Sequence, residues 1–275
     1  MNQRKILGLL GVIGLLGLVT QELRILPDGL LHAYILNVGQ GDSILLVSPS
    51  GKQILIDGGP DLSALEGIGN HMSFFDRNID LLVLTHPDLD HIAAFPEILR
   101  RYSVGAILLS GIETPQPQYQ RLLSIATKQN IPVIIADPKK DIVLEDGLIL
   151  DVLWPPHGTF GSQPKNTNNT SIVLRAIHGS SSILLTGDIE EPAERAILKT
   201  GADIQSTIFK VAHHGSKTST STGFLLVVDP KIAVVSLGKD NQFGHPHGDV
   251  LRRLEKAGIP IRRTDQEGEI SLVLP

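Results

Sequence analysis

Two apolar hairpin patterns constrain this chain more than any other feature, because each delivers an aspartate at or just after its second run. Ser43-Ile44-Leu45-Leu46 leads through a glycine turn to Ile54-Leu55-Ile56-Asp57. Ser171-Ile172-Val173-Leu174 leads through another to Ile183-Leu184-Leu185-Thr186-Gly187-Asp188. Further strands are predicted at 31–37, 81–84, 104–109, 133–136, 148–153, 207–211 and 270–274, with helices at 92–102, 118–130 and 192–199. The longest loop, 154–169, is rich in Pro, Gly, Ser and Asn. Hairpin and α/β alternation thus occur twice. Two such halves packed sheet to sheet, with helices outside, would make an α/β four-layer αββα sandwich. Chance similarity between two hairpins is the competing explanation.

Composition narrows the chemistry. The 275 residues are 41% hydrophobic, enough for one substantial core, and only 4% aromatic, so that core is mostly Leu, Ile and Val. A formal charge of -5 offers a polyanion no global attraction, so any such substrate must be bound locally. The absence of cysteine excludes disulfides and thiolate ligands. A metal site must then be built from His, Asp, Glu and Asn.

Residues 1–25 read as a separate N-terminal segment and 26–275 as the folded domain. Arg4 and Lys5 precede an uncharged run of Ile, Leu, Val and Gly at 6–19. As a helix that run would rise roughly 21 Å, against a hydrocarbon core of about 30 Å. Its length suits a signal peptide, but no small-x-small cleavage site follows, which favours a short uncleaved membrane anchor. Either reading puts the following domain outside the cytoplasm.

Four polar clusters stand at predicted strand ends. His86-Pro87-Asp88-Leu89-Asp90-His91 sets two imidazoles beside two carboxylates, a donor mixture suited to Zn, Mn or Fe. Asp188 and the pair His213-His214 follow later strands, and Gly244-His245-Pro246-His247 precedes a predicted helix. The last cluster is equally readable as an anion site or a helix cap.

Together these segments resemble the metallo-β-lactamase superfamily. More closely, they resemble the C-terminal hydrolase domain of ComEC-type competence proteins. The likeness also rests on Val38-Gly39-Gln40-Gly41-Asp42-Ser43, Ile56-Asp57-Gly58-Gly59 and His213-His214-Gly215-Ser216-Lys217-Thr218-Ser219. It implies the αββα fold and two divalent metal ions, Zn or Mn. His86 and Asp88 would hold the first ion, Asp90 and His91 the second, and Asp188 would bridge them. The superfamily pattern favours His214 over His213 as the remaining ligand. Asp57 would orient the metal loop from behind.

The resemblance also implies a phosphodiesterase or nuclease acting on DNA. Asp90, His213 and His245 would serve catalysis, and Ser216 and Lys217 would bind substrate. Asn168 or Asn169 stands where most of the superfamily has a histidine, so the first ion would be weakly held. Asn37 replaces a usual Asp, and Ala93-Ala94 replaces small glycines. Lys210, Lys217, Lys239, Arg252, Arg253, Arg262 and Arg263 suggest a local basic track, with scattered surface charge as the alternative. Hydrolysis of a small ester or lactam, and a non-catalytic metal-binding module, are the competing functions.

Overall fold

Both hairpins form, and the chain builds the same sheet plan from each. The computed structural model describes residues 3–275; residues 1 and 2 of the N-terminal segment lie outside the described residues. In chain order the first strands are β1 (Leu31–Ile35), β2 (Ile44–Val47), β3 (Gln53–Ile56), β4 (Asn78–Leu84), β5 (Ser103–Leu109) and β6 (Val133–Ile135). Then come β7 (Ile142–Val143), β8 (Ile149–Trp154), β9 (Val173–His178) and β10 (Ser181–Leu185). The remainder are β11 (Ile208–Lys210), β12 (Ile232–Val235), β13 (Ile261–Arg263) and β14 (Ile270–Leu274).

One sheet runs β14-β1-β2-β3-β4-β5-β6 and the other β13-β12-β11-β10-β9-β8-β7. In each, three antiparallel pairings are followed by three parallel ones. This shared plan supports the duplication. The last strand departs from a strict split into halves, because β14 returns to the first sheet and pairs with β1, Ile35 opposite Ile270. There it fills the edge position that β7 fills in the second sheet.

Three apolar clusters mark three interfaces between layers. Ile44, Leu46, Ile56 and Val83 meet Leu150, Leu174, Ile183 and Leu185 between the sheets. The alternate residues Leu45, Leu55, Leu82 and Ile107 face helices Ala64–His71, Phe95–Arg101 and Pro117–Gln129. Leu184, Phe209 and Val235 face helices Glu191–Thr200, Thr222–Val228 and Gly248–Lys256. Strands buried on both faces need apolar side chains at every position, which is why they read as continuous runs. The architecture is therefore the expected αββα sandwich.

The helix expected at 92–102 is two pieces, Leu89–Ile92 and Phe95–Arg101. Pro96 has no N–H to offer the Ile92 carbonyl. The first piece is tied instead to the Asp57 loop, where Gly58 N donates to His91 O at 2.6 Å. A side chain at Gly58 would collide with the Phe95 ring, its Cβ standing 2.5 Å from Cδ1.

The N-terminal segment forms the helix Gln3–Ile25, with Leu7, Leu10, Leu15 and Leu16 exposed. Among the described residues no helix is long and apolar enough to cross a membrane, so a spanning anchor finds no support there.

A carboxylate latches the two sheets together at their turns. Asp146, between β7 and β8, accepts hydrogen bonds from Ser48 Oγ, Ser50 Oγ and Ser50 N in the β2–β3 turn. Burial pushes its pKa up, but these donors outweigh burial and hold it at about 2. A folded pKa below the unfolded value of roughly 3.9 stabilises the protein above that value and ceases to do so as pH falls through about 2. Urea midpoints measured from pH 5 to pH 2 should therefore fall more steeply in the wild type than in Asp146→Asn. Parallel curves would remove the latch from the account.

Candidate metal centre

The polar segments leave both sheets at one edge, beyond the carboxyl ends of parallel strands, where α/β proteins commonly bind ligands. Asp57 follows β3, Thr85 and His86 follow β4, Asp188 follows β10, and His213 and His214 follow β11. Asp57, His213 and His214 adopt φ of 60°, 50° and 53°. Such conformations are strained for residues other than glycine and cluster at functional sites. At 213–214 they send consecutive imidazoles to different places. The His214 side chain is 1% exposed within the cluster, and that of His213 is 22% exposed at its rim.

Hydrogen bonds behind the rings aim them. Thr85 Oγ1 donates to Asp57 Oδ2 at 2.7 Å and so can accept from His86 Nδ1 at 3.1 Å. His91 Nδ1 donates to the same Asp57 oxygen at 2.7 Å, and His214 Nδ1 donates to Ser236 O at 2.9 Å. With Nδ1 occupied, each Nε2 points forward, and all three are buried without a hydrogen-bond partner, as is Asp188 Oδ1. Buried polar atoms are normally satisfied, so this convergence marks a ligand position.

Asp188 Oδ2 lies 3.4 Å from His91 Nε2 and 3.3 Å from His214 Nε2, and Asp90 Oδ2 lies 3.4 Å from His214 Nε2. Ligand atoms of Asp90, His91, Asp188 and His214 all fall within 4.8 Å of one another. Imidazole and carboxylate without thiolate suit a divalent transition ion.

The electrostatics agree with a cation position. Burial pushes the His91 and His214 pKa values down, but the carboxylates together outweigh it, Asp188 with Asp57 at His91 and Asp188 with Asp42 at His214, and hold both well above the ordinary range. Burial likewise opposes ionisation of Asp188, and His214 and His91 overcome it. Protons on these imidazoles and a metal ion are alternative partners for the same carboxylate, so ion binding releases protons. His86 differs: burial, then His91, push its pKa down and favour the neutral ring that a metal requires.

His86 and Asp88 stand beside this group, with His86 Nε2 3.8 Å from Asp88 Oδ2. Thr167 Oγ1 holds Asp88 Oδ1 at 2.6 Å, a contact with no signal in the sequence. The asparagines make structural hydrogen bonds beside the centre. Asn169 Oδ1 accepts Glu190 N at 3.0 Å, so its amide oxygen already has a structural partner. Asn168 contributes its carbonyl, which accepts Ser171 N and Oγ at 2.9 and 2.7 Å.

The Val38–Ser43 motif buttresses the centre, a role not assigned from the sequence. A side chain at Gly41 would meet Asp90 O at 2.3 Å, and Asp42 N donates to that carbonyl at 3.2 Å. Asp42 itself pairs with Lys210 at 2.7 Å and approaches His214 Nδ1 at 3.4 Å. Lys210 therefore belongs to the interior and to no surface track. Arg252, Arg262 and Arg263 are likewise paired, with Asp249, Glu267 and Asp265. Arg253 bonds the carbonyls of Ser219 and Thr220.

At the rim, His213 Nε2 lies 3.7 Å from Asp188 Oδ2, and its Nδ1 lies 3.6 Å from Glu190 Oε1. The last cluster divides its labour. His247 caps helix Gly248–Lys256 by accepting Asp249 N, whereas the His245 ring lies 5.7 Å from that of His213 and 6.4 Å from that of His214. Burial, then the neighbouring imidazoles, push the His245 pKa down to about 4, so it is neutral at pH 7. Ser216 Oγ is 3.0 Å from Thr218 Oγ1, and Thr218 Oγ1 donates onward to Glu190, a chain of contacts that holds the loop. Lys217 is exposed.

The sequence pattern of the metallo-β-lactamase superfamily matches residues 36–239, a span that includes His86, Asp88, Asp90, His91, Asp188 and His214. The chain belongs to the metallo-β-lactamase superfamily. ComE operon protein 3 of Bacillus subtilis is 32% identical over 253 residues, covering 86% of this chain and 32% of that protein. Competence protein ComA of Neisseria gonorrhoeae is 31% identical over 262 residues, covering 94% of this chain and 34% of that protein. The chain thus spans about a third of the length of these curated relatives.

Among solved structures of the metallo-β-lactamase fold, YhfI from Bacillus subtilis aligns with a TM-score of 0.60 at 10% identity, covering 88% of this chain and 99% of its own. CmlA, a diiron β-hydroxylase from Streptomyces venezuelae, aligns at 0.54 and 13%, covering 90% and 55%. These likenesses are of fold alone. Because a hydroxylase shares the superfamily's fold, chemistry has to be argued from the site.

Proposed function

We propose that this metallo-β-lactamase superfamily member is an extracytoplasmic phosphodiesterase that cleaves DNA. The observation that carries the reading is the convergence of the unpartnered Nε2 atoms of His86, His91 and His214 with Asp188 Oδ1. His86 and Asp88 would hold one divalent ion, and Asp90, His91 and His214 a second, with Asp188 between them. Ions at such a site supply Lewis acidity toward a phosphoryl oxygen and an activated nucleophile at neutral pH.

The chain's own residues supply the rest. Asp57 and Ser236 fix the direction of His91 and His214. His213, held between Asp188 and Glu190 and partly open to solvent, would pass a proton from Nε2 to the leaving oxygen. His245, neutral at pH 7, would make hydrogen bonds to the substrate without adding charge. Lys217 would meet a phosphate, whereas Ser216 shapes the loop that presents it. The competence-protein names of the relatives favour DNA as substrate. The exposed apolar residues of helix Gln3–Ile25 would hold the domain to a membrane, and Arg4 and Lys5 before them would set the domain on the side away from the cytoplasm.

The full chain, purified in detergent and supplied with Mn or Zn, should cleave plasmid and single-stranded DNA and a simple phosphodiester. Turnover of a β-lactam or small ester without phosphodiester cleavage would overturn this reading.

A further inference from the structure

In a chain with 7 phenylalanines, one stands 59% exposed at the rim of the metal centre. Phe243 stacks on His245, their ring centroids 5.8 Å apart and their planes within 25°. His245 in turn lies 5.7 Å from His213, so an aromatic path leads from the proton-carrying histidine to the surface. An isolated surface phenylalanine would need no explanation. This one is held in place by its loop. Asn241 Nδ2 donates to Gly238 O at 3.0 Å and to His245 O at 2.7 Å, while Asn241 Oδ1 accepts His245 N at 3.0 Å.

A second observation concerns charge. Lys210, Arg252, Arg262 and Arg263 are neutralised by carboxylates, but among the described residues no carboxylate lies within ion-pair distance of Lys217 or Lys239. Both lysines are exposed. Lys239 shares the Asn241-clamped loop with Phe243. Lys217 lies two residues beyond Gly215, where an added Cβ would stand 2.7 Å from Pro246 Cβ, so its loop packs against the one that carries His245. An exposed aromatic face on a loop with an unpaired cation, packed against a second loop that carries another, is the combination that binds single-stranded polynucleotides, the ring stacking a base and the cations meeting phosphates.

We propose that Phe243 is a substrate-positioning residue that stacks an unpaired base next to the metal centre, with Lys217 and Lys239 on the flanking phosphates. The inference deepens the DNA reading above and rests on it for the identity of the substrate. A base inside a duplex has no free face to offer, so the contact favours single-stranded over duplex DNA.

The test measures binding without cleavage, in EDTA, by fluorescence anisotropy. Its probes are a twelve-residue oligothymidylate and an abasic oligonucleotide of the same length. The wild type should bind the thymidylate about 5- to 100-fold more tightly, the contribution expected of base stacking. Phe243→Ala should collapse that ratio toward one, and Phe243→Trp should restore it. Because the side chain is exposed, the variants should melt with the wild type, which a thermal scan checks. A wild type that does not distinguish the probes, or a Phe243→Ala variant that keeps the ratio, overturns the proposal. Base-dependent binding by a metal-loaded protein that cleaves no DNA would sink the nuclease reading and leave this one standing. Cleavage without base dependence would do the reverse.

Discussion

Asp188→Asn should reduce metal-dependent hydrolysis to the background rate while leaving the fold intact. The substitution keeps the shape of a side chain that is buried between His91, His214 and His213. It removes the one carboxylate that approaches all three imidazoles, and places an amide whose nitrogen has no lone pair to offer a metal. The raised pKa values of His91 and His214 owe their largest favourable contribution to that charge. Metal retained after dialysis, measured by atomic emission, should fall together with DNA cleavage. A variant that keeps both at wild-type levels would show that the cluster is not the reacting centre.

Lys210→Met should destabilise the protein by about 3–5 kcal/mol, the usual cost of stranding one member of a buried ion pair. Lys210 and Asp42 are 0% and 2% exposed and 2.7 Å apart. Removing the cation takes from buried Asp42 the largest interaction that offsets its loss of water and leaves it only the histidine side. Burial alone would raise the Asp42 pKa, and the Lys210 ammonium, then His214, hold it far below the ordinary range. The melting temperature should drop by roughly 6–20 °C. Replacing both partners, as Asp42→Leu with Lys210→Met, should recover much of that loss, because no unpaired charge remains. An unchanged melting temperature in the single variant would contradict the burial and pairing described here.

Much of the candidate site was legible in the sequence. The pairing of His with Asp at 86–91, and a lone Asp or adjacent imidazoles at later strand ends, are local patterns, and strand ends project rigidly. Resemblance then supplied the grouping. The contacts that the sequence does not show share one cause. Lys210 looked like surface charge because nothing near it in the chain is acidic. Its partner stands 168 positions earlier, in a motif noticed but left without a task. Asn169 looked like a ligand because of where it falls in the family pattern. Its amide oxygen also accepts from the Glu190 backbone, a contact between two loops that meet only after folding. Thr218, which bonds Ser216 Oγ, reaches Glu190 by the same kind of contact.

The sequence by itself determined the layered α/β architecture, through apolar runs long enough for strands and helices whose apolar faces match them. It also determined which side chains are able to bind a metal. Only the tertiary structure decided which nitrogen of His91 and of His214 faces the centre, because Asp57 and Ser236 follow other strands, and Thr85, although next to His86 in the chain, is itself held by Asp57. Only it decided that β14 closes the first sheet, since alternating burial at Ile270, Leu272 and Leu274 would suit an edge of either one. Local pattern records what a residue can bury and what it can donate; partners distant in the chain are chosen by packing.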